Sequence, residues 1–325
     1  MTSTSKLLLA VLCVPLFQFG GASVAMAQGY PSKAIRVVSP SGAGGPVDTI
    51  CRALMQNLSQ VLGEQIFVEN RVGAAGLIGT EHVTKQPPDG YTLLFGFSGP
   101  LAIVPHLNPN TPYDPLRDLV PISMVAVAPY ILLVHPSVPA KSVKELIALA
   151  KVRPGRVNFG SAGTGVGIHM AGELLKVAAG IDIVHVPYKG AAPAVTALIA
   201  GEIDMMFNGI SPSLPHIGAG RVRALAVGGA KRSPLLPDLP TVMEAGFDFN
   251  TEGWYGVLAP RGTPQSVIST LHKGIVKALE SQNLKALYTK LGAEGVGNTP
   301  DEFARLIRAE GALWAKVIKV AGIKM

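Results

Sequence analysis

Cysteine is nearly absent from this chain: Cys13 and Cys51 are the only two in 325 residues. Cys13 lies in an N-terminal segment read below as removable, so one thiol remains and no internal disulfide can form. The fold must therefore be held by its core, which a chain of this size can bury. Charge is also scarce, at 15 % against 48 % hydrophobic residues, a balance that excludes a disordered chain. Basic residues exceed acidic ones, 28 to 21, but no run of five basic residues occurs and aromatics make up only 6 %. That excludes a dedicated nucleic-acid surface. H-E-x-x-H, G-x-S-x-G and G-x-x-x-x-G-K-S/T are all missing, which argues against zinc peptidase, serine hydrolase and P-loop chemistry. The seven histidines are scattered, so no metal and no cofactor is expected.

What is present begins with a leader. Lys6 precedes an apolar stretch from Leu7 to Phe19, followed by small residues and Ala25-Met26-Ala27. A charged start, a short apolar middle and an A-x-A end predict a secretory signal peptide cleaved after Ala27. The apolar run is shorter than the roughly 20 residues a membrane helix needs. No later stretch reads as a membrane helix, so an exported, soluble mature chain starting at Gln28 is expected. Cys51 falls in a helical stripe with Ile50, Leu54 and Leu58 and reads as a buried small hydrophobe.

Short β-branched runs then alternate with helical patterns. Ile35–Ser39, Ile66–Glu69 and Tyr91–Phe95 read as strands, with helices over Asp48–Leu62 and Gly76–Lys85 between them. This βαβαβ order predicts a parallel sheet covered on both faces. After a proline-rich stretch from Pro105 to Pro121 the alternation resumes, with strands at Ile131–Val134, Val157–Phe159, Asp182–Val186, Met205–Phe207 and Ala224–Val227. Ser142 and Glu145 have capping-box spacing. Thr263-Pro264 and Thr299-Pro300 read as two late helix starts, with threonine as cap. Two βα-rich halves point to two α/β domains with a cleft between them.

Two glycine-rich turns each join a strand to a helix: Pro40–Asp48, and Gly160–His169. Glycines let N–H groups crowd outward, and the helix dipole adds positive potential, so such a turn binds an anion without arginine. The first reads equally as a plain tight turn. The second adds the hydroxyls of Ser161 and Thr164 to Gly163 and Gly165. Two such turns, one per half, would converge on one ligand at the strand ends. Asp204 opens a strand and reads either as a hydrogen-bond acceptor for a loop or ligand or as structural. Trp254 and Trp314 read as core or hinge residues, and Tyr188-Lys189-Gly190 as cleft wall or simple turn.

These motifs resemble the substrate-binding proteins of tripartite tricarboxylate transporters, the Bug family. The resemblance is carried by Ala43-Gly44-Gly45-Pro46-x-Asp48, Val68-Glu69-Asn70-Arg71-x-Gly73-Ala74, Pro88–Leu94 and Pro112–Pro115. The Gly160–His169 loop, Val186-Pro187-Tyr188-Lys189-Gly190, Leu214–Ile217, Lys231–Pro234 and Leu239-Pro240-Thr241 continue it in the same order. It implies a periplasmic-binding-protein-like (type II) Venus flytrap of two α/β domains with two crossing connections. Domain 1 would comprise residues 28–128 plus 254–325, and domain 2 residues 129–253, after a signal peptide over 1–27. It implies a site at Gly44, Gly45 and Asp48 on the first loop and Ser161, Gly163, Thr164 and Gly165 on the second, with Ser98, Ala192 and Asp204 as further wall positions. The implied role is capture of a small organic carboxylate by a periplasmic monomer and delivery to the membrane permease subunits, without catalysis.

Three departures bear on the ligand. Ser41-Gly42 stand where family members commonly carry an aromatic and a proline, Val166 where a serine is common, and Ala197 where an acidic residue is common. The first removes an apolar wall and admits a larger or more polar ligand. A sensor that docks on a membrane signalling protein and an exported hydrolase using Ser161 are the competing readings.

Overall fold

The computed structural model describes residues 29–323. The segment read as a signal peptide, with Cys13 and the cleavage site at Ala27, lies outside the described residues. The chain opens as β1 (Ile35–Ser39), α1 (Pro46–Leu62), β2 (Ile66–Asn70), α2 (Leu77–Thr84) and β3 (Thr92–Phe97). β1 pairs in parallel with β2 on one side and β3 on the other. A π-helical turn, Gly99–Ile103, follows β3, and two one-turn helices, α3 (Val104–Leu107) and α4 (Pro115–Asp118), fill the proline-rich stretch.

Next comes β4 (Leu119–Val134), a strand of 16 residues where the pattern predicts four. Pro121 and Pro129 conceal it, because proline donates nothing to a ladder and argues against a central strand. The structure tolerates Pro121 beside a register shift, and Pro129 at the last pair before the strand changes partners. After β4 come α5 (Val143–Val152), β5 (Val157–Ser161), α6 (Gly167–Ala179), β6 (Ile183–Pro187), α7 (Ala191–Ala200), β7 (Met205–Gly209), α8 (Ile210–Gly218) and β8 (Arg223–Val227). The chain closes with β9 (Glu252–Pro260), α9 (Gln265–Leu279), α10 (Gln282–Lys290), β10 (Glu294–Gly295) and α11 (Pro300–Ala321).

The sheet is mixed, not parallel as expected. Strand order is β2-β1-β3-β9-β4-β7-β5-β6, with β10 and β8 also paired to β4. β9 runs antiparallel to β3 and to β4 over Leu119–Pro129, while Tyr130–Val134 of β4 runs antiparallel to β7 and β8. β4 and the start of β9 are thus the two connections that cross between the lobes. The return crossing is tied down where Gly228 N–H donates to Tyr130 O (2.7 Å) and Thr251 N–H to Gly228 O (2.9 Å).

Two apolar clusters fill the lobes. In one, Ile50, Cys51, Leu54 and Leu58 of α1 are at most 1 % exposed and pack with Leu271 and Ile275 of α9. Full burial of each such side chain contributes roughly 1.5–3 kcal/mol. Burial pushes the Cys51 thiol well above its usual range, as befits an inert core residue. The other cluster runs from lobe 2 through Trp254 to Phe303 and Trp314 of α11. Trp254 meets Phe303 edge-on at 5.5 Å, so both tryptophans are core residues beside the crossing strands.

The caps differ in detail from the pattern. Ser142 accepts from Glu145 N–H, but the Glu145 carboxylate takes Lys141 N–H and not that of the cap itself. Thr263 does not cap α9: Pro264 occupies that position, and the Thr263 hydroxyl donates to Pro260 O at 2.8 Å. Thr299 and Glu302 form the full reciprocal box at the start of α11. Thr299→Ala removes that cap. We expect a loss of about 1 kcal/mol in urea unfolding, with Thr299→Ser close to wild type.

Candidate functional site

The first loop is built around Asp48. Pro46 begins α1, and Gly45 before it takes extended φ/ψ with no side-chain cap. Gly44 has φ +77°, a left-handed conformation that a Cβ disfavours. This bend brings Gly44 N–H to Asp48 Oδ2 at 2.9 Å. Arg52 Nε donates to the same oxygen at 2.9 Å, and Asn70 Nδ2 donates to Asp48 Oδ1 at 2.8 Å and to Ser41 O at 3.0 Å. Asp48 is 3 % exposed. Burial alone would raise its pKa, but Arg52, Gly44 N–H and Asn70 outweigh it and hold the carboxyl below the usual range. Asp48 is therefore spent inside the loop. The N–H groups of Val47 and Asp48 lie in the first turn of α1 and have no intrahelical partner.

The second loop is braced in the same way, by a hydroxyl and two imidazoles. Ser161 is fully buried. Its Oγ accepts from Gly163 N–H at 3.1 Å and lies 3.0 Å from Gly163 O and 2.6 Å from His185 Nε2. Gly165 N–H donates to His169 Nδ1 at 3.2 Å, so neutral His169 carries its proton on Nε2, 3.7 Å from Glu173 Oε1. The two imidazoles lie 3.9 Å apart, and Phe159 stacks on His185 at 4.9 Å. Burial, and for His169 also the neighbouring His185, lowers their pKa values to about 3 for His169 and about 4 for His185. Burial pushes the Glu173 carboxyl upward.

The loops meet across a cleft of about 270 Å³. Ser41 and Gly42 form one rim and Gly165–Gly167 the other; the turn from Val72 to Gly76, with Phe97 and Gly99, closes the side. No charged side chain lines it among the described residues. Gly167 must be glycine for space: a Cβ there would run into the Tyr130 hydroxyl. Gly167 and Ile168 N–H open α6 and have no intrahelical partner, so the rim presents donors and the positive end of a helix dipole.

The expected site residues divide accordingly. Gly165 lines the cleft, and Ser98 sits between the lining residues Phe97 and Gly99. The hydroxyls of Ser98 and Thr164 make no hydrogen bond among the described residues. Gly44, Gly45, Asp48, Ser161 and Gly163 belong to the two loops but do not line this cleft. Ala192 is an exposed residue in the first turn of α7 whose carbonyl accepts from Thr196 Oγ1. Asp204 does not line this cleft. It exchanges hydrogen bonds with Asn158 (2.8 and 2.9 Å) at the start of β5, the end of that strand away from the cleft.

Two elements escaped the sequence reading. One is the Val72–Gly76 turn, which overlaps the Val68–Ala74 motif and the expected helix start at Gly76 but is not expected there as a wall. Ala74 (φ +45°) and Ala75 (φ +54°) are both left-handed there, at roughly 1–2 kcal/mol each. The run of small residues between Gly73 and Gly76 is the signal that marks it. The other is Tyr130, which no local pattern reveals, because its contact to Gly167 depends on where β4 crosses.

The Ser161–His185 contact looks like a nucleophile and its base, but it is not arranged as one. The hydroxyl is buried, bonded to its own loop, and faces an imidazole whose basicity is suppressed; no carboxylate hydrogen-bonds His185 among the described residues.

Comparison with known proteins follows the same lines. The profile of the tripartite tricarboxylate transporter family receptor matches residues 50–323. Protein BugT of Bordetella pertussis is 38 % identical over 320 residues, covering 98 % of this chain and 98 % of BugT. A solved R. palustris protein with adipate is 36 % identical at a TM-score of 0.80, covering 91 % of this chain and 99 % of that one. MatC from Rhodopseudomonas palustris, solved with bound malate, is 31 % identical at a TM-score of 0.77, covering 89 % and 100 %.

Two outcomes test the braces. Asp48→Ala strands Gly44 N–H, Asn70 and Arg52, and we expect a loss of about 1–3 kcal/mol in urea unfolding. The imidazoles set a pH dependence. An unfolded chain takes up protons near the ordinary 6.5 that the folded imidazoles refuse until about 3 to 4. Stability is thus full above pH 6.5 and falls as pH drops toward 4. His169→Asn keeps an acceptor for Gly165 N–H and removes one of the two titrations, so its melting temperature should fall less steeply over that range than wild type.

Proposed function

Because the chain belongs to the tripartite tricarboxylate transporter receptor family, we propose that it captures a small organic dicarboxylate between its lobes and delivers it to the membrane subunits of such a transporter. The observation that carries this reading is the cleft itself. Its donors are the backbone N–H groups at the start of α6, and no lining side chain competes for them with a charge of its own. A carboxylate satisfies such donors, and each charge-assisted hydrogen bond is worth roughly 1.5–3 kcal/mol. The volume of about 270 Å³ suits a short acid. Relatives solved with adipate and malate support the same class.

On this reading Gly165–Gly167, with the Thr164 and Ser98 hydroxyls, touch the ligand, and Ser41 and Gly42 decide how much room it has. Lobe 1 comprises residues 28–128 plus 254–325 and lobe 2 residues 129–253. Export through a signal peptide cleaved after Ala27 places the mature chain in the periplasm. Capture needs differential affinity: the ligand must bind the closed form better than the open one, or closure is not driven.

A thermal-shift series on the mature chain tests the proposal, with adipate, malate, citrate and the diamide of adipate. At ligand a hundredfold above Kd the native state gains about 2.7 kcal/mol. A rise with one or more acids and none with the diamide is expected. A rise with the diamide alone would overturn the carboxylate reading.

A further inference from the structure

The ligand cleft is not the only void among the described residues. A cavity of about 750 Å³ lies between the lobes elsewhere, walled by Ala230–Leu235 from lobe 2 and by α9, α10 and Gly292–Gly297 from lobe 1. Val127, Pro129 and Glu252 of the crossing strands also line it. None of its lining residues is shared with the cleft.

Topology fixes its place relative to the cleft. The first part of β4 has two neighbours, β9 and β10, and its last part has two, β7 and β8. In lobe 1 the cleft loops follow β1 and β3, reached through β9, whereas the cavity wall carries β10. In lobe 2 the cleft loop follows β5, reached through β7, whereas the cavity wall follows β8. In each lobe β4 stands between the two voids. The lobes also approach each other on the cavity side: a Cβ on Gly292 would lie 3.2 Å from Ile210 Cβ and 3.5 Å from Leu235 Cδ1.

We infer that this hinge-side cavity is a counterweight to the ligand cleft. The crossing strands are the axis, and rocking the lobes about them widens one void as it narrows the other. Anything that fills the cavity favours the closed cleft, and anything that lets the cavity collapse favours the open one. The coupling is a free energy shared by two sites, so it is reciprocal: closure around a ligand enlarges the cavity. The inference rests on the two-lobed fold and not on the identity of the ligand.

The test is made on the ligand-free mature chain, which lacks Cys13. Spin labels at Ala43→Cys and Ala192→Cys, both exposed and in opposite lobes, report the lobe separation by pulsed electron resonance; native Cys51 is buried and does not compete for label. Lys285→Trp and Thr289→Trp place indoles into the cavity from exposed positions on α10, and Ala286→Trp, exposed on the same helix but not lining the cavity, is the control. Either filling variant should raise the ratio of short to long distances by about fivefold or more, the lower range of coupling between sites, while the control leaves it unchanged. Leu235→Ala should shift the ratio the other way. Folding of each variant is checked by circular dichroism. If the folded filling variants give the wild-type distribution, or if the control shifts it as much as they do, the counterweight is refuted.

Discussion

β4 exchanges backbone hydrogen bonds with β9 from Leu119 to Pro129 and with β7 and β8 from Tyr130 to Val134. Both lobes therefore build on one continuous strand. Neither sheet can slip in register without dragging the other, because a shift of one residue turns every side chain of β4 to the opposite face. The position of the second loop follows from this. Tyr130 is the first residue of β4 on the lobe 2 side, and its hydroxyl stands against Gly167 at the start of α6. The first loop depends on the strand less directly, through β9, β3 and β1.

The two loops use the same device with different chemistry. A side chain placed just beyond or within the loop accepts loop N–H groups and fixes the rest of the backbone. In lobe 1 it is ionised Asp48, kept charged by Arg52 and Asn70. In lobe 2 it is Ser161 with His185, and His169, kept neutral by burial. The glycines thus divide their work. Gly44, Gly163 and Gly165 spend their N–H groups holding the shape, and the first turns of α1 and α6 keep theirs free.

Much of this was legible in the amino-acid order. The βα alternation located β1 to β3 and β5 to β8, because each is a short, largely apolar run next to a helical pattern. Both glycine loops were evident from Gly44-Gly45-Pro46 and Gly163-Thr164-Gly165. What stayed hidden was non-local. β4 is broken in appearance by Pro121 and Pro129, and β9 is rich in glycine and aromatic residues without clean alternation. α8 carries an internal Pro215. Asp48, Ser161 and Asp204 show the limit: a residue type at a loop says that it accepts hydrogen bonds, not whose, and all three accept from backbone N–H groups of this chain.

A cleft whose donors belong to the main chain is unusually hard to lose by mutation. Every residue except proline supplies an N–H, so a substitution at Thr164, Val166 or Ile168 alters the wall but leaves the donor in place. A site built on an arginine fork would vanish with one codon. On the proposed reading the gripping chemistry is inherited with the fold, and side chains such as Ser41 are free to vary around it. Relatives can thereby drift from one acid to another without passing through a form that holds none.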